Sequence, residues 1–200
     1  MTRIILVRHG HVEGIAPERF RGRRDIDLSP LGTRQARAAA QRIAAQWHPT
    51  ALYSSPLRRC VQTAAAIGAA CGLAPTALDD LNDLHYGEWE WRTYDEVRLQ
   101  CPELFACWFA APHLVRFPSG ESLQDLVARA ANVLRLVRER HAQQTVVLVG
   151  HSSGNRALLL QMLDQPLSAY WRLGQDPGSV SEIELREHGA TVQRMNEACS

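Results

Sequence analysis

Apolar positions along the chain come in two patterns, short unbroken runs and stripes at helical spacing. Ile4 to Val7, Ala51 to Tyr53 and Val146 to Val149 are unbroken, and such runs predict strands buried on both faces, as in a parallel sheet covered by helices. Between them, Ser29-Pro30 supplies an N-cap and a first-turn proline, after which Leu31, Ala36, Ala39, Ala40 and Ile43 mark one stripe. Ser55-Pro56 repeats this start signal. Ser122 with Asp125 has the form of a capping box; Leu123, Leu126, Val127, Ala130, Val133, Leu134 and Val137 then keep helical spacing, with an end expected near His141. Val180 to Leu185 and Thr191 to Met195 alternate on either side of His188-Gly189, which predicts a late hairpin. The stretch 84–119 follows neither pattern. It holds Trp89, Trp91, Trp108 and Phe109 among Pro102, Pro112 and Pro118, and reads as an insertion over one end of the sheet. The expected class is α/β: three layers, a mostly parallel sheet with helices on both faces, and a short aromatic-rich insertion over the active site.

Composition narrows the picture without redirecting it. A chain of 200 residues that is 46% hydrophobic suits one domain over 1–200 with a core of its own. Lys and Arg number 22 against 21 Asp and Glu, a net +1, so the basic surplus of a nucleic-acid or membrane-surface binder is missing and charge arguments must be local. No apolar run is long enough to span a bilayer, and the first one is too short for a signal peptide. Cys60, Cys71, Cys101, Cys107 and Cys199 are odd in number and form no CxxC pair, as expected of reduced structural thiols in a cytoplasmic protein.

Candidate chemistry collects where the strands end. The first runs into Arg8-His9-Gly10, a cation and an imidazole at the carboxyl end of a buried strand, where α/β sheets bind ligands. The second leads into Ser54-Ser55-Pro56-Leu57-Arg58-Arg59, placing two arginines in the first turn of a helix, against its dipole. Arg58 taken alone reads as a solvated cation. The third ends in Gly150-His151-Ser152-Ser153-Gly154. Each histidine singly could be structural. Together Arg8, His9, Arg59 and His151, delivered from three strand ends, form a set suited to one phosphoryl group.

These residues carry a resemblance. Leu6-Val7-Arg8-His9-Gly10, Ser55-x-Leu57-x-Arg59-x-x-x-Thr63-Ala64 and Gly150-His151, with Phe20-x-Gly22 and Asp27-Leu28-Ser29-x-x-Gly32 between them, resemble the signatures of the histidine phosphatase superfamily, the phosphoglycerate mutase-like proteins, over nearly the whole chain. The resemblance implies a phosphomonoester hydrolase that needs no metal or other cofactor and works through a phosphohistidine on a small phosphorylated metabolite. His9 would be the nucleophile, its neutral form favoured by Arg8 and Arg59. Arg8, Arg59 and His151 would hold the phosphoryl oxygens, and Asp83 would move the proton, standing where the family has a Glu, with Glu13 and Glu88 in reserve. Arg21, Gly22 and His85 are the expected substrate contacts. Ile15 and Val12 stand where the family commonly has Asn and Thr. Gly87-Glu88-Trp89-Glu90 and Pro118-Ser119-Gly120-Glu121-Ser122 resemble the phosphatase branch, including α-ribazole phosphatase, and the short aromatic insertion speaks against the mutase alternative. Among Arg19, Arg21, Arg23 and Arg24, only Arg21 is expected to face substrate rather than solvent.

Other classes stay open at this point. Gly150-His151-Ser152-Ser153-Gly154 also satisfies G-x-S-x-G, and Asp176 and His188 follow in the order of a serine-esterase triad on Ser152. His9-x-His11 is a weak metal-hydrolase signal. Ile15 and Asp83 motivate a phosphate-binding module without turnover. Oligomeric state, a homodimer included, and the physiological substrate are not legible.

Overall fold

The three unbroken runs lie side by side. The computed structural model describes residues 1–13 and 17–199, so Ile15 lies outside the described residues. β1 (Thr2–Arg8), β2 (Ala51–Ser54), a short β3 (Thr76–Ala77) and β4 (Thr145–Gly150) form the parallel part, and the hairpin β5 (Val180–Arg186) and β6 (Gly189–Glu197) extends it antiparallel. The order across the sheet is β3-β2-β4-β1-β5-β6. β1 is therefore interior, and β4 beside it aligns Arg8 with Gly150. The two strand ends that carry His9 and His151 are neighbours by register.

The period of a strand divides its side chains between two cores. Ile5 and Val7 of β1, with Val147 and Val149 of β4, face α1 (Pro30–Gln46) and α2 (Arg58–Cys71) through Ala39, Ala40, Ile43, Ala64 and Ile67. Ile4, Leu6, Val146 and Leu148 face the other way, onto α5 (Leu123–Arg140) and α6 (Ser152–Met162). The resulting three layers match the expected class.

Local signals act as anticipated at two helix starts. Ser29 accepts from the Gly32 N–H ahead of Pro30, and Ser122 with Asp125 completes a capping box at α5, which is closed by His141. Two expectations need correction. Ser55 does not cap α2, which begins at Arg58 behind Leu57 with no side-chain cap; the Ser55 hydroxyl is engaged elsewhere. Leu31, assigned to the buried stripe of α1, is 42% exposed, while Gly32 beside it is the residue of the first turn that is buried, against His11.

The segment 84–119 contains α3 (Tyr94–Gln100), opened by a Thr93–Glu96 capping box, and α4 (Pro102–Ala110). Their buried anchors, Val97 and Trp108, join Trp89, Phe117 and Phe20 in the core shared with α5. Phe20 meets Trp89 at 5.0 Å and Tyr94 at 4.5 Å between ring centroids, so the insertion is stapled to the loop that follows β1.

Candidate active site

β1 ends by delivering Arg8 and His9, 8% and 2% exposed. The His9 amide donates to Gly150 O at 3.0 Å and the Arg8 amide to Ser179 O at 3.1 Å, so both main chains are pinned to neighbouring strands. The next turn lies flat on the start of α1. A Cβ on Gly10 would fall 2.3 Å from Gly32 O, and one on Gly32 would fall 2.0 Å from His11 O; only glycines permit this approach. Gly10 N–H also donates to Thr63 Oγ1 of α2 at 3.3 Å.

Arg59, with no exposed surface, is the hub. Its Nε–H is shared between His9 Nε2 at 3.3 Å and His151 Nδ1 at 3.2 Å. Its terminal nitrogens donate to Arg24 O at 2.7 Å, Gly22 O at 2.8 Å and Asp83 Oδ2 at 3.4 Å. A guanidinium only donates, so each histidine presents a lone pair to it. On His9 the other nitrogen, Nδ1, lies 2.7 Å from Gly10 O, an acceptor, which places the proton on Nδ1 and the lone pair on Nε2. On His151 the proton is on Nε2, which donates to Ser55 Oγ at 2.9 Å, and Ser55 donates onward to Asn82 Oδ1 at 3.3 Å. The two rings meet edge to face with centroids 5.2 Å apart. Cys60 Sγ packs 3.4 Å from His151 Nε2, and burial pushes its thiol up to about 12.

Burial first, and then the charge of Arg59, hold His9 and His151 well below the usual imidazole range, so both rings are neutral at physiological pH. Burial raises the Asp83 carboxyl, overriding the cations Arg59, Arg21 and Arg8, which act to lower it. Asp83 Oδ1 accepts from the Leu84 amide at 3.0 Å, and its Oδ2 is 3.7 Å from His151 Nδ1. Burial also brings Arg8 down to about 10; its guanidinium donates to Gln175 O, while its buried Nε has no partner.

The structure thus brings together Arg8, His9, Arg59, Asp83 and His151 from β1, α2, the loop after β3 and the end of β4. Arg21 is half-buried, and its charge acts on Arg8, His9, Asp83 and His151. Gly22, at φ +50, contributes its carbonyl to Arg59; a Cβ there would lie 2.5 Å from Glu90 Oε1. His85 is tied elsewhere: its Nδ1 accepts from the Gly87 amide at 2.9 Å and lies 3.0 Å from Glu90 Oε1. Glu13 and Glu88 are exposed. Arg58 reaches Asp25 and Asp27 at 3.2 and 3.0 Å on the surface. Of the other loop arginines, Arg19 and Arg24 stack on Trp91 and Arg23 pairs with Glu121 at 2.9 Å. Asn82 and Gln175 were not singled out from the sequence, and Ser55 only as a helix start and as part of a motif, with no role in the site. Each acts through a partner from a distant segment, and no local pattern signals that.

The rival constellations do not assemble. β5 runs antiparallel to β1 with Val7 opposite Val180 and Thr2 opposite Leu185, so the exposed turn holding His188 is at the far end of the sheet from Ser152. Asp176 accepts from Asn196 at 2.8 Å. His11 Nδ1 lies 2.8 Å from Ser29 Oγ, and among the described residues no group of three or more His, Cys, Asp or Glu could hold a metal. A neutral imidazole lone pair beside fixed guanidinium donors and a carboxyl biased toward its acid form is equipped for phosphoryl transfer.

Comparison with known proteins agrees with this chemistry. The profile of the histidine phosphatase superfamily (branch 1) matches residues 4–198. Phosphoserine phosphatase 1 of Hydrogenobacter thermophilus is 37% identical over 199 residues, covering 100% of this chain and 94% of that protein. The metal-independent phosphoserine phosphatase of Arabidopsis thaliana is 32% identical, covering 94% and 78%. The solved structure of a mycobacterial glucosyl-3-phosphoglycerate phosphatase in complex with VO3 superposes with a TM-score of 0.89 at 26% identity, covering 98% of this chain and 99% of that one.

Proposed function

Because the chain belongs to the histidine phosphatase superfamily, branch 1, and is a phosphatase, we propose that it hydrolyses small phosphomonoesters through a phosphohistidine on His9. The observation that carries this reading is the His9 tautomer: Nδ1–H is anchored on Gly10 O, and the Nε2 lone pair is presented at the Arg59 guanidinium. His9 Nε2 attacks phosphorus, the bond from phosphorus to the substrate oxygen breaks, and Asp83 in its acid form gives that oxygen a proton. Asp83, now a carboxylate, takes a proton from water; the resulting hydroxide attacks phosphorus and His9 leaves as the neutral ring. Arg8 and Arg59 hold the equatorial oxygens, the partnerless Arg8 Nε among their donors. His151 is neutral in the free site, and the negative charge of the substrate favours its protonation, which turns Nδ1 from acceptor to donor. No step calls for a metal or another cofactor. Arg21 faces substrate. Gly22 acts through Arg59, and His85, held by the Gly87 amide beside Glu90, is the third expected substrate contact.

Two relatives are named phosphoserine phosphatases, which makes O-phosphoserine the first substrate to try; α-ribazole phosphate, suggested by the motifs, is the second. The profile runs through 4–198 and supports one domain with 84–119 as its insertion. Among the described residues no helix is long and apolar enough to cross a membrane, and the free thiols fit a cytoplasmic setting.

The test is rapid quench of the protein with p-nitrophenyl phosphate in chelator, followed by mass spectrometry, with His9→Ala as control. Acid-labile phosphate on His9 together with turnover is expected. Turnover without that adduct, or turnover abolished by chelation, overturns the mechanism.

A further inference from the structure

The loop that presents Asp83 is held by a cation that lies outside the phosphate pocket. Arg129 of α5 uses all five of its N–H donors. Nε donates to Glu121 Oε1 at 3.0 Å, one Nη2 hydrogen to Glu121 Oε2 at 2.9 Å and the other to Asp83 O at 3.3 Å, and Nη1 to Asp80 O at 3.0 Å and Asn82 O at 3.1 Å. Three carbonyls within four residues thus converge on one guanidinium. Glu121, just before the α5 cap, closes the bracket from the other side: it accepts from the His85 amide at 2.9 Å and from Arg23 Nη2 at 2.9 Å. Both Arg129 and Glu121 side chains are 17% exposed. Neither touches His9, Arg59 or His151 by a hydrogen bond.

We infer that Arg129, braced by Glu121, is the positioning residue for proton transfer: it fixes the backbone from which the short Asp83 side chain reaches the leaving oxygen. Asp has two side-chain torsions, so where its carboxyl lies is decided mainly by where its Cα is held. Asn82 is gripped at its carbonyl by Arg129 and at its amide oxygen by Ser55, the hydroxyl that orients His151 Nε2. A shift of this loop moves Asp83, while His9, Arg8 and Arg59 stay fixed by β1 and α2 and the His151 ring stays held at Nδ1 by Arg59. The inference rests on the reading of Asp83 as the proton carrier.

The experiment compares Arg129→Gln, Arg129→Lys, Glu121→Gln and Asp83→Asn with the parent protein in pre-steady-state and steady-state assays. p-Nitrophenolate leaves without a proton, so the nitrophenolate burst in Arg129→Gln is expected to stay within about threefold of the parent, while turnover of that ester and of glycerol 2-phosphate falls about 10- to 100-fold. Phosphoenzyme then accumulates from the activated ester only, and vanadate affinity is unchanged. Lysine cannot reproduce the fork to three carbonyls and a carboxylate, so Arg129→Lys falls between. Glu121→Gln, the milder change, reports the same split with smaller amplitude if Arg129→Gln proves poorly folded by circular dichroism. Burst, turnover and vanadate affinity falling together in folded variants, or no change at all, overturns the inference. If Asp83→Asn lacks the split as well, the inference fails along with the reading of Asp83; if Asp83→Asn has it and the Arg129 and Glu121 variants do not, the inference alone fails.

Discussion

Two networks rich in arginine can be set side by side, and they are built on opposite principles. On the β5–β6 hairpin, cations meet carboxylates: Arg3 contacts Glu182 at 2.9 Å and Glu184 at 3.1 Å, Arg186 reaches Glu184 at 2.8 Å and Arg194 reaches Glu182 at 3.1 Å. Arg186 and Arg194 are exposed and Arg3 half-buried over the buried glutamates, so the outer pairs are screened and exchangeable. Around Arg59 the partners are two imidazole nitrogens, two carbonyls and one carboxyl, Asp83 at 3.4 Å, whose charged form burial disfavours. Buried cations without matching anions are costly for a resting protein. They are suited to a dianionic guest. Matched charge marks structure here, and unmatched buried charge marks chemistry.

The sharpest way to break that contrast is to remove one arginine from each network. Arg59→Ala should lower kcat/KM for p-nitrophenyl phosphate by about 1000-fold or more, since one side chain supplies several fixed donors; steady-state kinetics on folded protein checks it. Asp83→Asn comes next, with a loss of about 100-fold or more on an alkyl phosphomonoester. It carries a stability signature of opposite sign. The folded protein holds this proton to higher pH than the unfolded chain does, so stability from this site is lost as pH rises through the raised folded-state value. Asn has no proton to lose; the Tm of Asp83→Asn relative to the parent should therefore be higher at pH 7 than at pH 4.

Acidification acts through the histidines. His9 and His151 stay neutral when folded and charge near pH 6.5 when unfolded. The unfolded chain thus binds more protons below about pH 6.5, and stability should fall steadily with pH from there. Thermal melts from pH 8 to 5 measure this, and replacing His9 by Gln should flatten the slope. The smallest effect belongs to the hairpin. Arg194→Ala should leave kcat/KM unchanged and cost under about 1 kcal/mol in urea titrations, with even that loss fading as salt is raised.

Neighbouring residues explain how much of this was readable beforehand. Arg58 and Arg59 are identical in type and adjacent in a first turn, yet one lies on the surface against Asp25 and Asp27 and the other is fully buried. Position after a buried strand singled out the pair, and only the helical rotation of about 100° per residue separated them. The strand-end motifs were legible because buried strands impose continuous apolar runs and the chemistry follows directly on them. Ser29-Pro30 and Ser55-Pro56 show the limit of local reading: the same dipeptide caps α1, but serves His151 in the second case, because a nearby imidazole donor competes for the hydroxyl. Arg129 gave no signal at all. Its partners are 8 to 49 positions away in the chain, and nothing periodic connects them. Two-residue β3 was too short to leave a pattern.

One consequence of the strand order concerns time rather than space. β1 is made before β2 to β6, yet its partners are β4, from Thr145 onward, and β5, from Val180 onward. During synthesis the nucleophile-bearing strand must wait until β4 and β5 have been made before its ladder can form, and loop closures of that span are slow to achieve. A ribosome stalled before residue 145 carries every atom of His9 and Arg59 and no phosphatase, so activity in this architecture is a receipt for synthesis past β4 and β5.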